Sequence, residues 1–161
     1  MSTVLLCKAI REELEVIVKD LYQANDPARD REQIFRAPKI INGYVPPRGN
    51  DNDVIPYIIV RPSECNTVTE SGMNYDIVGV SLIVATYGRE DGDYEQSVVV
   101  LDRVINYFRK NPVLKNKYRM QPKVKWLIPD EQPDPIWFAI LDLQWEMPTV
   151  QENLEDDGYN E

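Results

Sequence analysis

Carboxylates are the side chains of this sequence whose number and spacing come closest to a reactive centre. The densest group precedes a helical pattern and comprises Glu90, Asp91, Asp93 and Glu95. A second group, Asp130, Glu131 and Asp134, lies in the proline-rich segment DEQPDP. Carboxylate oxygens are the ligands that Mg²⁺ and Ca²⁺ prefer, and metal-assisted hydrolysis uses them in pairs. On residue type alone, either group is a candidate site for a divalent cation.

The positions of these acids favour a simpler interpretation. Acidic residues at the start of a helix stabilise it, because they face the partial positive charge of its first turn. The first group lacks the ligand spacing of an EF-hand loop, and no basic groove accompanies the second. A nuclease-like pair of carboxylates in the proline-rich segment is therefore an unsupported alternative.

Other side chains that usually carry catalysis are scarce. The chain contains no histidine, which excludes an imidazole base, a histidine-containing triad and a histidine metal site. Its seven glycines never approach the spacing of a phosphate-binding loop. Cys7 and Cys65 form no CxxC motif, so we interpret them as reduced thiols. We predict no catalytic residue, no cofactor and no metal ion.

Overall charge limits the partners that the protein can attract. The 161 residues include 27 acidic and 18 basic side chains, a formal net charge of −9. Such a surface disfavours wrapping by DNA or RNA, because neutralising phosphates requires lysine and arginine. The length suits a single domain, predicted over residues 1–150, followed by an acidic flexible tail over 151–161. No apolar run approaches the roughly 18 residues of a membrane span, so we expect cytoplasmic synthesis and no membrane partner.

Two amphipathic helices are predicted from apolar residues that recur every three or four positions. The first spans Thr3–Gln23, with Ser2 or Thr3 as its cap, and the second spans Asp93–Lys110, with Asp93 as its N-cap. The predicted buried faces are Leu6, Ile10, Leu14, Ile17 and Leu21 in the first helix, and Tyr94, Val98, Leu101, Ile105 and Phe108 in the second.

Alternating apolar and polar residues predict four strands, over 54–61, 75–87, 120–128 and the second half of 128–150, with a turn over Cys65–Gly72. The last strand alternates most clearly. One face carries Trp137, Ala139, Leu141, Leu143, Trp145 and Met147, and the other carries Asp142, Gln144 and Glu146. We predict an α+β fold: an antiparallel β-sheet with two α-helices packed on one face, a two-layer sandwich.

Three surface features stand out from this framework. The stretch 27–53 is long, polar and unpatterned, and it contains Tyr44 and Arg48, so we predict a partner-contacting loop. Two prolines fix the backbone of DEQPDP, which indicates a rigid recognition turn. The one basic neighbourhood comprises Lys115, Lys117, Arg119, Lys123 and Lys125, and we interpret it as a solvated strand edge that discourages pairing with other chains.

An ordered set of short motifs resembles a known family. The set comprises IPYIIVRP over 55–62, Thr86-Tyr87-Gly88, DGDY over 91–94, Asn111-Pro112, and the closing DEQPDPIWF and LQWEMPTV. In this order the motifs resemble the tail terminator, or tail completion, family of long-tailed bacteriophages and related prophages. The similarity covers residues 54–150, and its strongest element is the proline turn followed by the alternating strand.

The resemblance implies a non-enzymatic ring that caps the head-proximal end of a tail tube and stops its polymerisation. The implied partners are further copies of the chain in a hexamer, the tail tube protein and the head completion or connector protein. DNA would pass through the lumen without specific binding, and the protein would reside in the virion at the neck end of the tail. The expected partner contacts, chosen from loop position, are Tyr44, Arg48, Asp91, Glu131 and Asp134.

Two alternatives stay open at this stage. One is a different neck component, such as a head-closure or minor tail protein, which the sequence separates poorly from a terminator. The other is a metal-dependent phage nuclease built on the acidic groups. The nuclease hypothesis requires turnover that depends on a divalent cation and is lost when Asp91 or Asp93 is changed.

Overall fold

A computed structural model describes residues 2–27, 31–44 and 55–148 of the chain. These ranges contain two helices, α1 (Thr3–Val18) and α2 (Glu95–Lys110), with a 3₁₀ turn at Asp91–Tyr94 directly before α2. The strands of the same ranges are β1 (Gln23–Ala24), β2 (Phe35–Arg36), β3 (Lys39–Asn42), β4 (Tyr57–Glu70), β5 (Met73–Tyr87), β6 (Val113–Leu114), β7 (Tyr118–Met120), β8 (Lys125–Leu127) and β9 (Ile136–Pro148). Neither of the two helices combines the length and the apolar character that crossing a membrane requires.

Seven of the described strands form one curled sheet. Its order is β3-β4-β5-β9-β7-β6, and β8 pairs with β9 beside β7. β3 runs parallel to β4, whereas the other neighbouring pairs are antiparallel. The fold thus mixes helices and strands as predicted, but the sheet is not purely antiparallel. The cause is β3, a four-residue strand between Pro38 and Gly43 that lies inside the predicted loop over 27–53.

α1 begins where the sequence predicts and ends earlier. The Ser2 side-chain oxygen accepts the Leu5 backbone N–H at 3.4 Å, which confirms Ser2 as the cap. The predicted apolar stripe is buried, with Leu6, Ile10 and Leu14 fully enclosed. The helix stops at Val18 rather than at Gln23, because Gln23 instead enters β1, the partner of β2.

α2 differs from its prediction at both its start and its face. Asp93 is not the N-cap of the helix, which begins at Glu95; its carboxylate instead accepts the Glu90 backbone N–H at 2.9 Å and closes the 3₁₀ turn. Tyr94 is exposed, and Val100 and Val104 are buried instead. Three consecutive valines over 98–100 fit more than one helical phase, so periodicity alone could not select the buried one.

Both helices pack on the same face of the sheet. α1 contacts β3 and β4, α2 contacts β5 and β9, and the helices contact each other. The sheet face beneath them is lined by Ile58, Val60, Val78, Val80, Leu82, Val84, Ala139, Leu141, Leu143, Trp145 and Met147, all buried. The predicted apolar face of the last strand is therefore correct along its length. At the centre, the Phe108 ring meets the Trp145 ring edge-on at 5.1 Å between centroids.

Two polar contacts join α1, or the residues that follow it, to α2 on the outer side of the helices. The Tyr107 hydroxyl donates a hydrogen bond to a Glu13 carboxylate oxygen at 2.7 Å, and Arg103 pairs with Asp20 at 2.8 Å. The bond to Glu13 raises the pKa of Tyr107, because it stabilises the neutral phenol that donates it.

The opposite face of the sheet is apolar at one end and polar at the other. A small buried cluster comprises Ile55, Tyr57, Ile59, Ala85, Tyr87 and Ile136. Further along β9, Asp142 accepts a hydrogen bond from Ser81 at 2.6 Å, and Gln144 and Glu146 follow on the same side. This is the polar face that alternation in the last strand predicts.

The longest hairpin of the sheet extends beyond its neighbours. β4 and β5 pair from Tyr57 and Ala85 to Glu70 and Met73, so the predicted turn over Cys65–Gly72 is wrong. The chain reverses at Ser71 and Gly72, whose φ angles of 54° and 77° give the left-handed backbone that a tight two-residue hairpin turn requires. This part of β4 is rich in polar and charged residues, a composition that is typical of turns. None of its side chains is fully buried, so the sequence shows no alternating pattern that would indicate a strand.

A β-bulge bends the hairpin near its middle. The pairing register shifts between Pro62 and Glu64, so one extra residue stands opposite β5. A Cβ on Gly79 would lie 2.7 Å from the Ser63 side-chain oxygen and 2.9 Å from Glu64 Cγ. Glycine at this position therefore lets the bulge close onto β5.

The predicted strand over 120–128 is two strands in the structure. β7 pairs with β9 at Glu146 and Trp145, and β8 pairs with β9 from Asp142 to Ile140. Between them, the Gln121 N–H donates to the Gln144 carbonyl at 2.7 Å. Pro122 follows Gln121 and has no N–H to donate, which explains the interruption.

The Gln132 side chain continues this edge where β8 ends. Its amide oxygen accepts the Phe138 N–H at 2.7 Å, and its amide nitrogen donates to the Phe138 carbonyl at 3.1 Å and to the Pro129 carbonyl at 2.7 Å. One side chain thus replaces a strand residue and also ties down the proline-rich turn.

Gln132→Ala is expected to lower the free energy of unfolding by about 1–3 kcal/mol, because it leaves the Phe138 backbone groups without these partners. Urea denaturation of the variant and the parent protein measures the difference. Gln132→Glu is the matched comparison: it keeps the acceptor for the Phe138 N–H and loses both donated bonds. Equal stability of all three proteins would contradict the structural role of this amide.

Candidate functional site

Acidic residues that precede α2 form hydrogen bonds within the local 3₁₀ turn. Asp93 caps the 3₁₀ turn, and Glu90 is the residue whose backbone N–H it accepts. Asp91 lies in the same turn with its side chain exposed. Over residues 2–27, 31–44 and 55–148, no three Asp, Glu or Cys side chains are grouped closely enough to hold a metal ion.

The pKa of each thiol is raised rather than lowered. Burial raises the pKa of the Cys7 thiol, with a smaller opposing effect from Arg11. Partial desolvation, and then the nearby Asp76 carboxylate, raise the pKa of the exposed Cys65 thiol. A raised pKa keeps a thiol protonated near neutral pH, whereas reactive cysteines have lowered values.

The proline-rich turn presents its predicted contact residues to solvent. Glu131 and Asp134 are exposed, while Gln132 between them points inward to β9. The Asp134 N–H donates to the Gln132 carbonyl at 3.0 Å, and the Ile136 N–H donates to the Pro133 carbonyl at 2.8 Å. The backbone that carries the two acids is thus held by its own hydrogen bonds, as a rigid recognition turn requires.

The two acidic turns are joined at one end of the sheet. The Gly88 N–H donates to the Pro135 carbonyl at 3.0 Å, and the Trp137 indole N–H returns a bond to the Gly88 carbonyl at 3.0 Å. The Tyr94 ring lies 6.2 Å from the Trp137 ring, between centroids. Three of the five predicted contact residues, Asp91, Glu131 and Asp134, therefore sit on one connected surface, which we call the turn surface.

Gly88→Ala is expected to loosen the turn surface and lower stability by about 1–3 kcal/mol, because the added methyl would overlap Asp93 Cβ. Thermal denaturation of the purified variant measures the loss. Gly92→Ala is the control in the same turn, since a Cβ there meets nothing within 4 Å. If the two variants melt together, the close approach of Gly88 to Asp93 is not present in solution.

Tyr44, a fourth predicted contact residue, lies apart from the turn surface. Tyr44 follows β3, and its exposed ring carries the Arg61 guanidinium 3.8 Å from its centroid. Arg61 also donates to the Gly43 carbonyl at 2.9 Å, which holds this pair beside the start of the extended hairpin. Arg48 and the predicted tail over 151–161 lie outside the described residues.

Sequence reasoning missed a largely exposed element, the far end of the β4–β5 hairpin. We call residues 64–76 the arm. Most of its side chains are exposed, among them Met73 at 60%. It carries three acids, Glu64, Glu70 and Asp76, and no lysine or arginine occurs between Arg61 and Arg89. Polar cross-strand pairs hold it: Thr67 donates to Asp76 at 2.7 Å and Tyr75 donates to Glu70 at 2.6 Å.

The basic neighbourhood lies across β5 and β9 from the arm, and Lys123 and Lys125 line a groove of about 360 Å³ together with Glu64. The residues of this neighbourhood lie on strands β7 and β8 or in the segments that adjoin β6, β7 and β8. No acidic residue occurs between Val113 and Pro129. We call β8 with its preceding residues 123–124 the basic edge. Its Lys123 and Lys125 are exposed, and so are Trp126 at 45% and Leu127 at 40%.

A groove of about 530 Å³ separates the arm from β6 and β7. Its charged lining comprises Glu70, Lys117, Arg119 and Glu146. Both signs of charge occur in this lining, and the Tyr75 hydroxyl there donates its hydrogen bond to Glu70.

Comparisons with known proteins add little. No protein-family model matches the sequence, and no curated protein matches it. Among solved structures, the chain is similar to a chain of the virion of a native gene transfer agent particle. The two are 10% identical, the alignment covers 68% of this chain and 78% of the other, and the TM-score is 0.40. A likeness at that TM-score carries no conclusion about what this protein does.

Proposed function

We propose that the protein is a virion structural protein that forms a ring, caps the head-proximal end of a phage tail tube and ends tube polymerisation. The ring would also form the docking surface for the head–neck connector. It would be a non-enzymatic assembly of identical subunits, with six as the expected number. These statements rest on the motif order in the sequence and on surfaces of the fold that lack partners within the described chain.

The arm is the observation that carries the proposal. An isolated two-stranded hairpin is only marginally stable in water, and the last two pairs of this one, Thr69 with Asn74 and Glu70 with Met73, lie beyond the pairing of β5 with β9 and are exposed. The core does not need it, because its far pairs, from Val68 and Tyr75 to the turn, contribute no member of the buried cluster. An extended element without an internal packing role is typical of proteins that complete their structure by assembly.

The turn surface suits a second contact. It presents Asp91, Glu131 and Asp134 on a backbone fixed by hydrogen bonds, so a partner would meet a preformed site. We propose that this surface contacts the tail tube or the connector. The net charge of −9 is compatible with a lumen through which DNA slides, because an acidic wall repels phosphates.

Light scattering and negative-stain microscopy of the purified protein test the proposal. The expected result is a ring with a central hole, formed by the protein alone or when purified tail tubes are added. Added tubes should acquire a cap at one end and stop growing. A monomer that forms no ring and binds no tube under any salt condition would refute the proposal.

A nuclease assay separates the enzymatic alternative. Single- and double-stranded DNA are incubated with the protein and Mg²⁺ or Mn²⁺, alongside Asp91→Asn and Asp93→Asn variants. We expect no cleavage above buffer. Cleavage that requires the cation and disappears in the variants would replace the structural proposal with the enzymatic one.

A further inference from the structure

The two side edges of the sheet are complementary in charge and in backbone hydrogen bonding. We propose that the outer edge of β4 in the arm pairs with the basic edge of a second copy, so that the sheet continues from subunit to subunit. This inference rests on the proposed ring and names the two surfaces that would close it. The occupant of each edge is the same chain.

The first surface is the part of β4 that extends past β3. β3 covers β4 only from Tyr57 to Val60, and no strand of the described ranges pairs with that side of β4 from Arg61 to Glu70. β5 occupies the other side throughout. About half of the backbone N–H and C=O groups of a strand point to each side, so this stretch offers a row of donors and acceptors to an incoming strand.

The second surface is the outer side of β8. β8 pairs with β9 on one side, and no other strand among the described residues adjoins it. Its Trp126 and Leu127 are large apolar side chains left 45% and 40% exposed at the rim of the sheet. An apolar pair beside an open backbone edge is the composition that a strand-addition site requires, with hydrogen bonds for affinity and side chains for specificity.

Charge selects this pairing over the symmetric ones. Two arms brought edge to edge would oppose Glu64 and Glu70 of one copy to the same acids of the other. Two basic edges would likewise oppose Lys123 and Lys125, and like charges on facing strands are destabilising. Arm against basic edge instead sets acids against lysines, and complementary charges of this kind favour the correct encounter.

The two edges lie on different sides of the sheet, so the same contact can repeat from one subunit to the next. β4 lies near one end of the strand order, whereas β8 lies on the far side of β9. A contact between two different surfaces is head-to-tail, so each subunit keeps one free edge of each type for the next copy. Head-to-tail contacts generate closed rings when the rotation between subunits closes.

Charge exchange between two variants tests the pairing. The arm variant carries Glu64→Lys and Glu70→Lys, and the edge variant carries Lys123→Glu and Lys125→Glu. Each variant alone should need at least tenfold more protein than the parent to form rings, because its two edges now repel. Mixed in equal amounts, they should again form rings, with the two proteins alternating at a ratio of one to one.

Matched controls change the same net charge away from both edges. Glu15→Lys with Asp102→Lys, and Lys19→Glu with Lys110→Glu, alter exposed side chains of the helices. These pairs should assemble as the parent does. Thermal melts of all variants establish that each is folded, which matters for the edge variant because Lys125 stands opposite Asp142 on β9.

Chemical cross-linking detects the proposed contact directly, without relying on a variant that fails to assemble. Cys65 supplies an exposed thiol on the arm, and Lys125→Cys introduces one on the basic edge; Cys7 is buried. A bond formed within one chain leaves the mass on a denaturing gel unchanged, so only bonds between copies produce larger species. A short bismaleimide should yield a ladder of covalent oligomers, and Cys65→Ser should abolish it.

The outcomes are distinguishable. Rings that persist in both charge variants, with no ladder from the paired thiols, would overturn this interface and leave the ring itself intact. A parent protein that stays monomeric with and without tail tubes would overturn the interface and the proposed function together. Rescue by mixing, with the ladder, would support both.

Discussion

Trp145→Ala is expected to reduce the free energy of unfolding by about 3–5 kcal/mol, the largest effect of any single truncation in this core. Trp145 is fully buried, and it is the largest such side chain among the described residues. Its loss removes the edge-on contact with Phe108 at 5.1 Å and opens a cavity between α2 and β9. A domain with ordinary stability of about 5–15 kcal/mol would become marginal. Urea denaturation followed by circular dichroism measures the loss.

Trp145→Phe is the informative companion. The Trp145 indole N–H is buried and has no hydrogen-bond acceptor within the described part of the chain. Phenylalanine removes this unsatisfied donor while keeping an aromatic ring, so it should cost much less than alanine. Combining Trp145→Ala with Phe108→Ala should cost less than the sum of the two, because the first change has already broken their contact. Simple additivity would show that the two rings do not touch in solution.

Shortening the arm is expected to abolish assembly while leaving the fold intact, the largest effect on function. Deleting Val68–Glu70 and Met73–Tyr75 removes three facing pairs and keeps the Ser71-Gly72 turn between Thr67 and Asp76. Of the pairs with β9, only that of Tyr75 with Pro148 is lost. Residues that are exposed and paired only with each other contribute little to global stability. The free energy of unfolding should therefore change by only about 1 kcal/mol.

Light scattering across a concentration series measures the assembly of the shortened protein, and urea denaturation measures its stability. The control exchanges Thr69 and Asn74, a facing pair, which preserves length and charge. Rings from the shortened protein at the parent concentration would show that the far arm is not part of the subunit contact. A large loss of stability would show instead that the arm belongs to the folding core.

The sequence predicts best where one face of an element is buried. Alternation in β9 and the apolar stripe of α1 both identify the correct core residues, because burial imposes the period of the backbone on the side chains. The arm fails for the same reason. Its strands are largely exposed on both sides, so no alternation marks them, and their polar composition is typical of a turn.

The sequence also does not predict very short strands, or side chains that form the hydrogen bonds of a missing strand. β3 spans four residues and depends on β4 for its hydrogen bonds, which adjacency in the chain does not predict. The amide of Gln132 completes the edge of β9 through contacts that only the folded turn creates. For the candidate site, Asp91, Glu131 and Asp134 are exposed, and their role as partner contacts stays a prediction; the joining of their two turns through Gly88 needed the structure.

The bend at Gly79 has a consequence for how such a protein could diversify. The bulge there and the tight reversal at Ser71 and Gly72 fix the direction of the hairpin with few residues. On β4 between them, most substitutions encounter solvent rather than packed neighbours, so they incur little penalty in folding. If the arm forms the proposed contact, its specificity can evolve almost independently of the scaffold.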